Sequence, residues 1–600
     1  MEFDYIDGSK VSIKWGQENN SVISNFFQEN FPEANISNYK TEISFAQFRM
    51  NFDRFGYRFS SIAKFTTKLR EVVNSLPDYD AEVKNQTLPD EDEVKNKLKA
   101  RGFKRELFWY QLRNVRHMAS LSASANFSVP GAGKTTDTLA TYLYKRKSVE
   151  DKVLIICPKS AFTAWEEDIH ECLTEESLIH LGNAATTELG LAAKSNFKII
   201  NYERYRDDPI VRNLINEEAL NPERNYLVVL DESHRMKGEK TKEKLVELSM
   251  VNQKIILTGT PMPQKHDTDL APQFLFLYPE QKNKIVDGQI IKEKFQPIYK
   301  RTTKKDLGLP DPIIKKKQLS MTGAQLEVND YILNAIKNFD LALNQRESLK
   351  DLKTIVMRYL QFCSNPMLQY DYIKSIRPNL AEAIYQEGYG SKLEKIIEDA
   401  EEIARNGEKL IIWSTFPKNL EILRTKLAFW NPVAIHGAIP MGTNEYEINT
   451  RRHALWQFKN NPECKIFLAN PSTAGEGISL HKICSKAFYL DRSYNAAHYL
   501  QSRDRIHRIG IADDAEIEIS LYLLKKSIDL DVDAALDRKT KNMAKFLNDD
   551  SLTTNDISFD IDGMSENGVN FEINQMEDSD FEQHVSNEDI NSVLSFSKNK

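Results

Sequence analysis

Residues 128–135 read Ser128-Val-Pro-Gly131-Ala-Gly133-Lys134-Thr135 and open directly into the helical stretch TTDTLATYLYKRK. A loop of small residues lets successive backbone N–H groups turn inward around the phosphates of a nucleotide, and the helix N-terminus that follows adds its dipole. In such a loop the Lys134 ammonium reaches the β- and γ-phosphates and the Thr135 hydroxyl can ligate Mg²⁺. Gly131, Ala132, Gly133 and Thr136 complete the expected cradle, and Ser128 stands where the usual pattern has its first glycine.

About a hundred residues downstream, Tyr226-Leu-Val-Val-Leu-Asp231-Glu232-Ser-His234 is an apolar run ending in two carboxylates. Asp231 at a strand tip is placed to hold Mg²⁺, commonly through water, and Glu232 to orient and polarise an attacking water. A solvated acidic turn would look similar alone, but the upstream loop favours the joint reading. Further on, Gln501-Ser-Arg-Asp504-Arg505-Ile-His507-Arg508-Ile-Gly510 places Arg505 and Arg508 one helical turn apart. The expectation is a shared helix face whose guanidinium groups meet a γ-phosphate across a cleft. The alternative is an exposed, salt-bridged helix; His507 reads as structural.

Outward from these motifs, short apolar runs alternate with helical patterns in two blocks, the mark of parallel sheets buried on both faces. The first block has runs at Val153–Cys157, Lys198–Ile200, Tyr226–Leu230 and Lys254–Leu257. The second has Lys409–Trp413, Pro432–Ile435, Lys465–Ala469, Lys486–Leu490 and Glu516–Leu524. The expected class is α/β, two lobes at 101–280 and 391–545. A helical insertion and linker is expected over 281–390, a small accessory region over 1–100 and an acidic, disordered tail over 546–600. The accessory region starts as a hairpin and continues as helix.

At 600 residues the chain is too long for one core. Its five cysteines form no CxxC pair and several sit in apolar runs, so buried thiols in a reducing cytoplasm are expected. A bacterial protein of this kind would be nucleoid-associated. No stretch approaches the roughly 18 apolar residues of a membrane span, and the N-terminus lacks a secretory pattern. Residues 551–600 hold eleven acidic residues against two lysines, so the net charge of −7 leaves +2 on the remainder. A near-neutral body neither requires nor excludes nucleic acid, because a local basic stripe suffices.

The ordered set resembles the superfamily 2 helicases, in particular the Swi/Snf-type double-stranded-DNA translocases, over about residues 101–545. Phe108-Trp-Tyr110-Gln111 resembles the family's adenine-reading motif, with Gln111 lying 23 residues before Lys134. Ile155-Ile-Cys-Pro158-Lys159 followed by Trp165, and Asn201-Tyr202-Glu203, resemble its strand-contacting motifs. Leu257-Thr258-Gly259-Thr260-Pro261 resembles the motif that couples ATP state to lobe movement. Ile412-Trp413-Ser414-Thr415-Phe416, Ile435-His436-Gly437 and Ser472-Thr473-Ala474-Gly475-Glu476-Gly477 follow in family order. The 151 residues from Thr260 to Ile411, longer than a linker needs, resemble the family's helical insertions.

The resemblance implies two RecA-like lobes, ATP and Mg²⁺ as ligands, and movement along nucleic acid, most of all duplex DNA. It implies nucleic-acid contacts at Pro158, Lys159, Tyr202, Ser414, Thr415, Ser472 and Thr473. Such hydroxyls and loop amides hold a phosphate backbone without reading its sequence. Gly475 and Gly477 would allow close approach to the nucleotide. Phe127-Ser-Val-Pro130 in place of an acidic lead-in, Ser493-Tyr494-Asn495, and Pro263-Gln264 depart from the family pattern. A strand-separating helicase, or an ATP-gated DNA-binding subunit of a larger complex, remain the competing expectations. Protein partners would dock through residues 1–100 or the tail.

Overall fold

The computed structural model describes residues 1–560 except 8–9, 32–33, 75–76, 175, 263–266, 285–287, 322, 338–344, 475–477, 512–515 and 554–555. The described residues divide into two compact units, one within residues 1–302 and one within residues 303–560 together with Met262. Their strands form three sheets.

The first sheet belongs to the N-terminal region. β1 (Glu2–Asp7) and β2 (Lys10–Lys14) make the expected antiparallel hairpin. β3 (Lys40–Ser44) adds antiparallel to β2, and β4 (Lys64–Phe65) parallel to β1. Alternation places Phe3, Tyr5, Val11 and Ile13 on a buried face, where Phe26, Phe27, Phe48, Phe55 and Phe59 meet them. Each such ring removed from water stabilises by roughly 2 kcal/mol. The stretch FAQFRMNFDRFGYRF, part of the helical continuation expected after the hairpin, forms two helices, Phe45–Met50 and Phe52–Arg58, separated at Asn51. This region sits on the first lobe through an Arg49 Nη2 to Asn252 Oδ1 hydrogen bond of 3.1 Å and a Tyr5 hydroxyl to Glu223 contact of 3.3 Å.

The first-lobe sheet contains β5 (Ala123–Asn126), β6 (Lys152–Cys157), β7 (Leu178–His180), β8 (Phe197–Asn201), β9 (Tyr226–Asp231), β10 (Gln253–Leu257) and β11 (Tyr299–Lys300). Their order is β11-β5-β10-β9-β6-β8-β7, every pair parallel. The second-lobe sheet contains β12 (Ile313–Leu319), β13 (Leu410–Trp413), β14 (Val433–Ile435), β15 (Ile466–Ala469), β16 (Lys486–Tyr489), β17 (Glu518–Leu524) and β18 (Asp556–Asp560). Its order is β14-β15-β13-β16-β17-β12-β18, again all parallel.

The segment expected as a separate linker, 281–390, is built into the sheets near its start and middle: β11 pairs with β5, and β12 pairs with β17. The tail expected to be unstructured from 546 instead finishes the Ile528–Leu547 helix and returns as β18 against β12; residues 561–600 lie outside the described residues. All five cysteines are buried thiols outside any disulfide. Among the described residues no helix is long and apolar enough to cross a membrane.

Candidate nucleotide site and nucleic-acid contacts

Parallel strands present their C-terminal ends along one edge of a sheet, where α/β proteins bind ligands. Three neighbouring strands of the first lobe end there with chemistry. β5 leads into the Ser128–Thr135 loop, β9 ends at Asp231, and β10 between them leads into Thr258-Gly259-Thr260.

The loop is shaped by Gly131 (φ +88°) and Gly133 (φ +82°), a conformation other residues adopt at a cost. A Cβ on Gly133 would lie 2.3 Å from Gln111 Nε2, and one on Gly259 would lie 2.9 Å from Pro130 Cδ. Gln111 and the β10 loop therefore press on the phosphate loop from two sides. Gln111 Oε1 also accepts the Phe108 N–H at 3.1 Å, which fixes the start of the Trp109–Ala119 helix. The Lys134 ammonium donates to the Ser128 carbonyl at 3.1 Å. Thr135 is partly exposed, whereas Thr136 is buried and its hydroxyl accepts from Arg105 at 3.2 Å. Thr136 can therefore offer a nucleotide its backbone N–H but not its side chain.

Behind the loop lies a buried polar cluster. Asp137 Oδ2 accepts the side-chain amides of Asn114 and Asn126, each at 2.9 Å, and Asn126 Oδ1 accepts the Ser128 N–H at 3.1 Å. Burial pushes the Asp137 carboxyl up to about 8, against the pull of the two amides.

At the tip of β9, Asp231 Oδ1 accepts the Glu232 N–H and Oδ2 accepts the Trp165 indole N–H, both at 2.9 Å. Glu232 takes the left-handed conformation (φ +52°, ψ +50°), which costs a non-glycine residue on the order of 1 kcal/mol and turns the chain sharply out of the strand. Its Oε2 lies 3.3 Å from His234 Nδ1 and 3.4 Å from the Thr258 hydroxyl. Burial and the Glu232 charge push Asp231 up to about 6. Glu232 moves the other way: burial opposes ionisation, but the His234 hydrogen bond and the Lys134 charge hold it below the usual range. The Thr135 hydroxyl and the Asp231 carboxylate are hard oxygen donors, the set Mg²⁺ takes alongside phosphate oxygens. The residues fit that ion.

The sequence-predicted nucleic-acid residues divide. Lys159 is exposed, and Ser472 is exposed beside the half-buried Thr473 on the Pro471–Ala474 turn. Pro158 is buried and precedes the 3-10 turn Lys159–Ala161. Tyr202 is 2% exposed, with its hydroxyl donating to the Asp231 carbonyl at 2.9 Å, so its side chain is not open to a nucleic-acid strand. Ser414 and Thr415 are buried as well. Asp491, just past β16, is a buried carboxylate that needs donors. It takes the Ser414 and Ser364 hydroxyls on Oδ2 and the Thr415 N–H on Oδ1, each at 2.6 Å. Gly475 and Gly477 lie outside the described residues, as do Pro263 and Gln264.

Arg505 and Arg508 do not share a helix face, because the helix carrying them in sequence runs only Ala496–Arg503. The Asp504 carboxylate is drawn to Lys304 at 2.9 Å, and Arg505 folds back onto the carbonyls of Gln501 (3.0 Å) and Ile478 (2.7 Å). Arg505 is buried and Arg508 half-buried. His507 is structural as read, its Nε2 2.7 Å from the Pro310 carbonyl.

The sequence matches the SNF2-related domain over residues 110–337 and the helicase conserved C-terminal domain over residues 391–510. The chain thus resembles SNF2-related proteins over its first lobe and helicase C-terminal domains over its second. Among its relatives, the SWI/SNF chromatin-remodeling complex subunit snf22 of Schizosaccharomyces pombe is 24% identical over 467 residues, which cover 70% of this chain and 27% of that protein. The ATP-dependent DNA helicase DDM1 of Arabidopsis thaliana is 26% identical over 487 residues, covering 72% and 61% respectively. This chain thus spans only a part of the length of these relatives. The Sulfolobus solfataricus SWI2/SNF2 ATPase core in complex with dsDNA aligns at 20% identity and TM-score 0.32, over 75% of this chain and 95% of that one.

In this SNF2-related chain the sequence did not reveal Asp168, Asp137 or Asp491 as members of polar clusters. Asp137 and Asp491 are lone acidic residues in their segments and Asp168 is one of four on its helix, so each becomes informative only beside its partners. Trp165 did carry a signal, as part of a motif, but pointed to the wrong contact.

Proposed function

We propose that this SNF2-related ATPase is an ATP-driven motor that moves along duplex DNA and displaces proteins bound to it. The observation that carries the reading is the convergence of the Ser128–Thr135 loop, Asp231-Glu232 and Thr258 at one edge of one sheet. The relatives' names, which speak of chromatin remodelling and DNA helicase, favour DNA as the track.

In this reading the loop amides and Lys134 cradle the triphosphate. Thr135 and Asp231 would hold Mg²⁺, which neutralises charge on the β- and γ-phosphates when bound. Glu232 orients a water toward the γ-phosphorus and takes up its proton. The bond to the bridging oxygen breaks, giving ADP and inorganic phosphate. Arg508 is the better candidate for stabilising charge on the leaving phosphoryl group, since Arg505 is committed to carbonyls of its own lobe. Lys159, Ser472 and Thr473 contact the backbone, and alternation of their grip gives directional steps.

Displacement of a labelled third strand from a triplex tests the motor. The expected result is ATP-dependent displacement without separation of the underlying duplex. Separation of a blunt duplex at a comparable rate would contradict translocation without unwinding.

A further inference from the structure

Both motifs that resemble strand-contacting elements send an aromatic side chain to Asp231 rather than outward. The Trp165 indole N–H donates to Asp231 Oδ2 at 2.9 Å, and the Tyr202 hydroxyl donates to the Asp231 carbonyl at 2.9 Å. Trp165 is 1% and Tyr202 2% exposed, so neither has a competing role at the surface. One turn beyond Trp165 on the same Phe162–Cys172 helix, Asp168 pairs with Arg105 at 3.3 Å. Arg105 in turn donates to the hydroxyl of Thr136, the neighbour of Thr135, at 3.2 Å. A single helix therefore braces both parts of the chain that fit Mg²⁺, Asp231 through Trp165 and the start of the Thr135 helix through Asp168 and Arg105.

The same helix continues directly from the turn that exposes Lys159. Lys159 precedes Trp165 by six residues, about 9 Å along a helix. An N–H on a ligating carboxylate fixes its orientation, and the Asp168–Arg105–Thr136 chain fixes where the helix after the phosphate loop begins. A small shift of the Phe162–Cys172 helix would alter both at once.

We propose that the Lys159–Cys172 segment is a coupling element: a nucleic-acid backbone held at Lys159 sets the geometry of Thr135 and Asp231, with Trp165 and Asp168 as positioning residues. The inference rests on the motor reading and assigns that reading a route from track to fuel site. It accounts for the inward-facing aromatics of both motifs, since a rigid link serves coupling and an exposed ring would not.

The test measures binding of the non-hydrolysable analogue AMP-PNP to the full chain as a function of Mg²⁺, with and without a saturating blunt DNA duplex. In the wild type, DNA is expected to lower the half-saturating Mg²⁺ concentration several-fold. Trp165→Phe and Asp168→Asn are expected to raise it about tenfold and to remove the effect of DNA. Their AMP-PNP affinity in EDTA should stay at the wild-type value, which also reports an intact fold. Labelling with 5-fluorotryptophan adds a direct signature: the ¹⁹F resonance lost in Trp165→Phe should shift in the wild type when DNA is added without nucleotide. A DNA effect on Mg²⁺ that is the same in wild type and both variants, or a resonance unmoved by DNA, would overturn the coupling alone. Failure of the wild type to bind AMP-PNP or DNA would overturn the motor reading and the coupling together.

Discussion

The Arg505 guanidinium donates from Nε to the Gln501 carbonyl at 3.0 Å, four residues back, where the Ala496–Arg503 helix has run out of backbone donors. It acts as a C-terminal cap and also reaches the Ile478 carbonyl. Arg505→Ala leaves buried carbonyls unsatisfied and should cost roughly 1–3 kcal/mol of stability, read as a lowered melting temperature. Arg508→Ala should slow ATP turnover by two orders of magnitude or more, about 10²–10³-fold, and weaken nucleotide affinity far less. Mainly weakened binding in Arg508→Ala would show that its role is not charge stabilisation.

Lys134→Ala and Glu232→Gln should both abolish turnover, but by different routes. The first removes the cation expected at the β- and γ-phosphates and should weaken ATP binding. The second keeps the fold around His234 and Thr258 and should bind ATP while failing to hydrolyse it. Equilibrium binding and steady-state ATPase on the same preparations separate the two.

Asp137 gives lobe stability a pH dependence. Its folded-state pKa of about 8 lies above the unfolded value of 3.8, so the folded state holds the proton more tightly. Its contribution is therefore most favourable below about pH 4, declines as pH rises toward 8, and is flat beyond. Asp137→Asn keeps the acceptor for the Asn114 and Asn126 amides and removes the ionisation. The variant should be more stable at pH 8, by up to about 5 kcal/mol, with the difference nearly gone near pH 4. Thermal melts across that range check the slope.

Lys159→Ala should weaken DNA binding across all sequences and reduce the slope of log affinity against log salt by about 1. Ser472→Ala should weaken it modestly. Ser414→Ala should instead lower stability, because it strips a donor from the buried Asp491 carboxylate and leaves no exposed contact to lose. Salt titrations of DNA binding, paired with melts, distinguish a backbone contact from a structural hydroxyl.

The α/β lobes were legible because strands buried on both faces are nearly continuous apolar runs. β6, β8, β9, β10 and the strands from β13 to β17 fall within two residues of those runs. β5 was not legible: Ala-Ser-Ala-Asn has no apolar run, and it is buried because small side chains fit where it pairs between β10 and β11. β12 hides behind three lysines, of which Lys316 and Lys317 are paired with Asp533 and Asp399. At the candidate site, the glycines and adjacent carboxylates stand out in the sequence through spacing alone. The hydroxyls of Ser414 and Thr415 and the ring of Tyr202 do not, since polar groups at strand ends serve a buried carboxylate or a carbonyl as readily as a ligand. What separates the two is the acceptor, and Asp491 lies 77 residues from Ser414 in the chain.

The central claim is a motor driven by ATP and engaged by duplex DNA. The most direct test compares steady-state ATPase rates of the full chain with double-stranded DNA, single-stranded DNA, RNA and no nucleic acid. The account predicts the largest stimulation, about tenfold or more, by double-stranded DNA, with Glu232→Gln silent under every condition. Equal rates with and without nucleic acid, or stimulation confined to RNA, would contradict it.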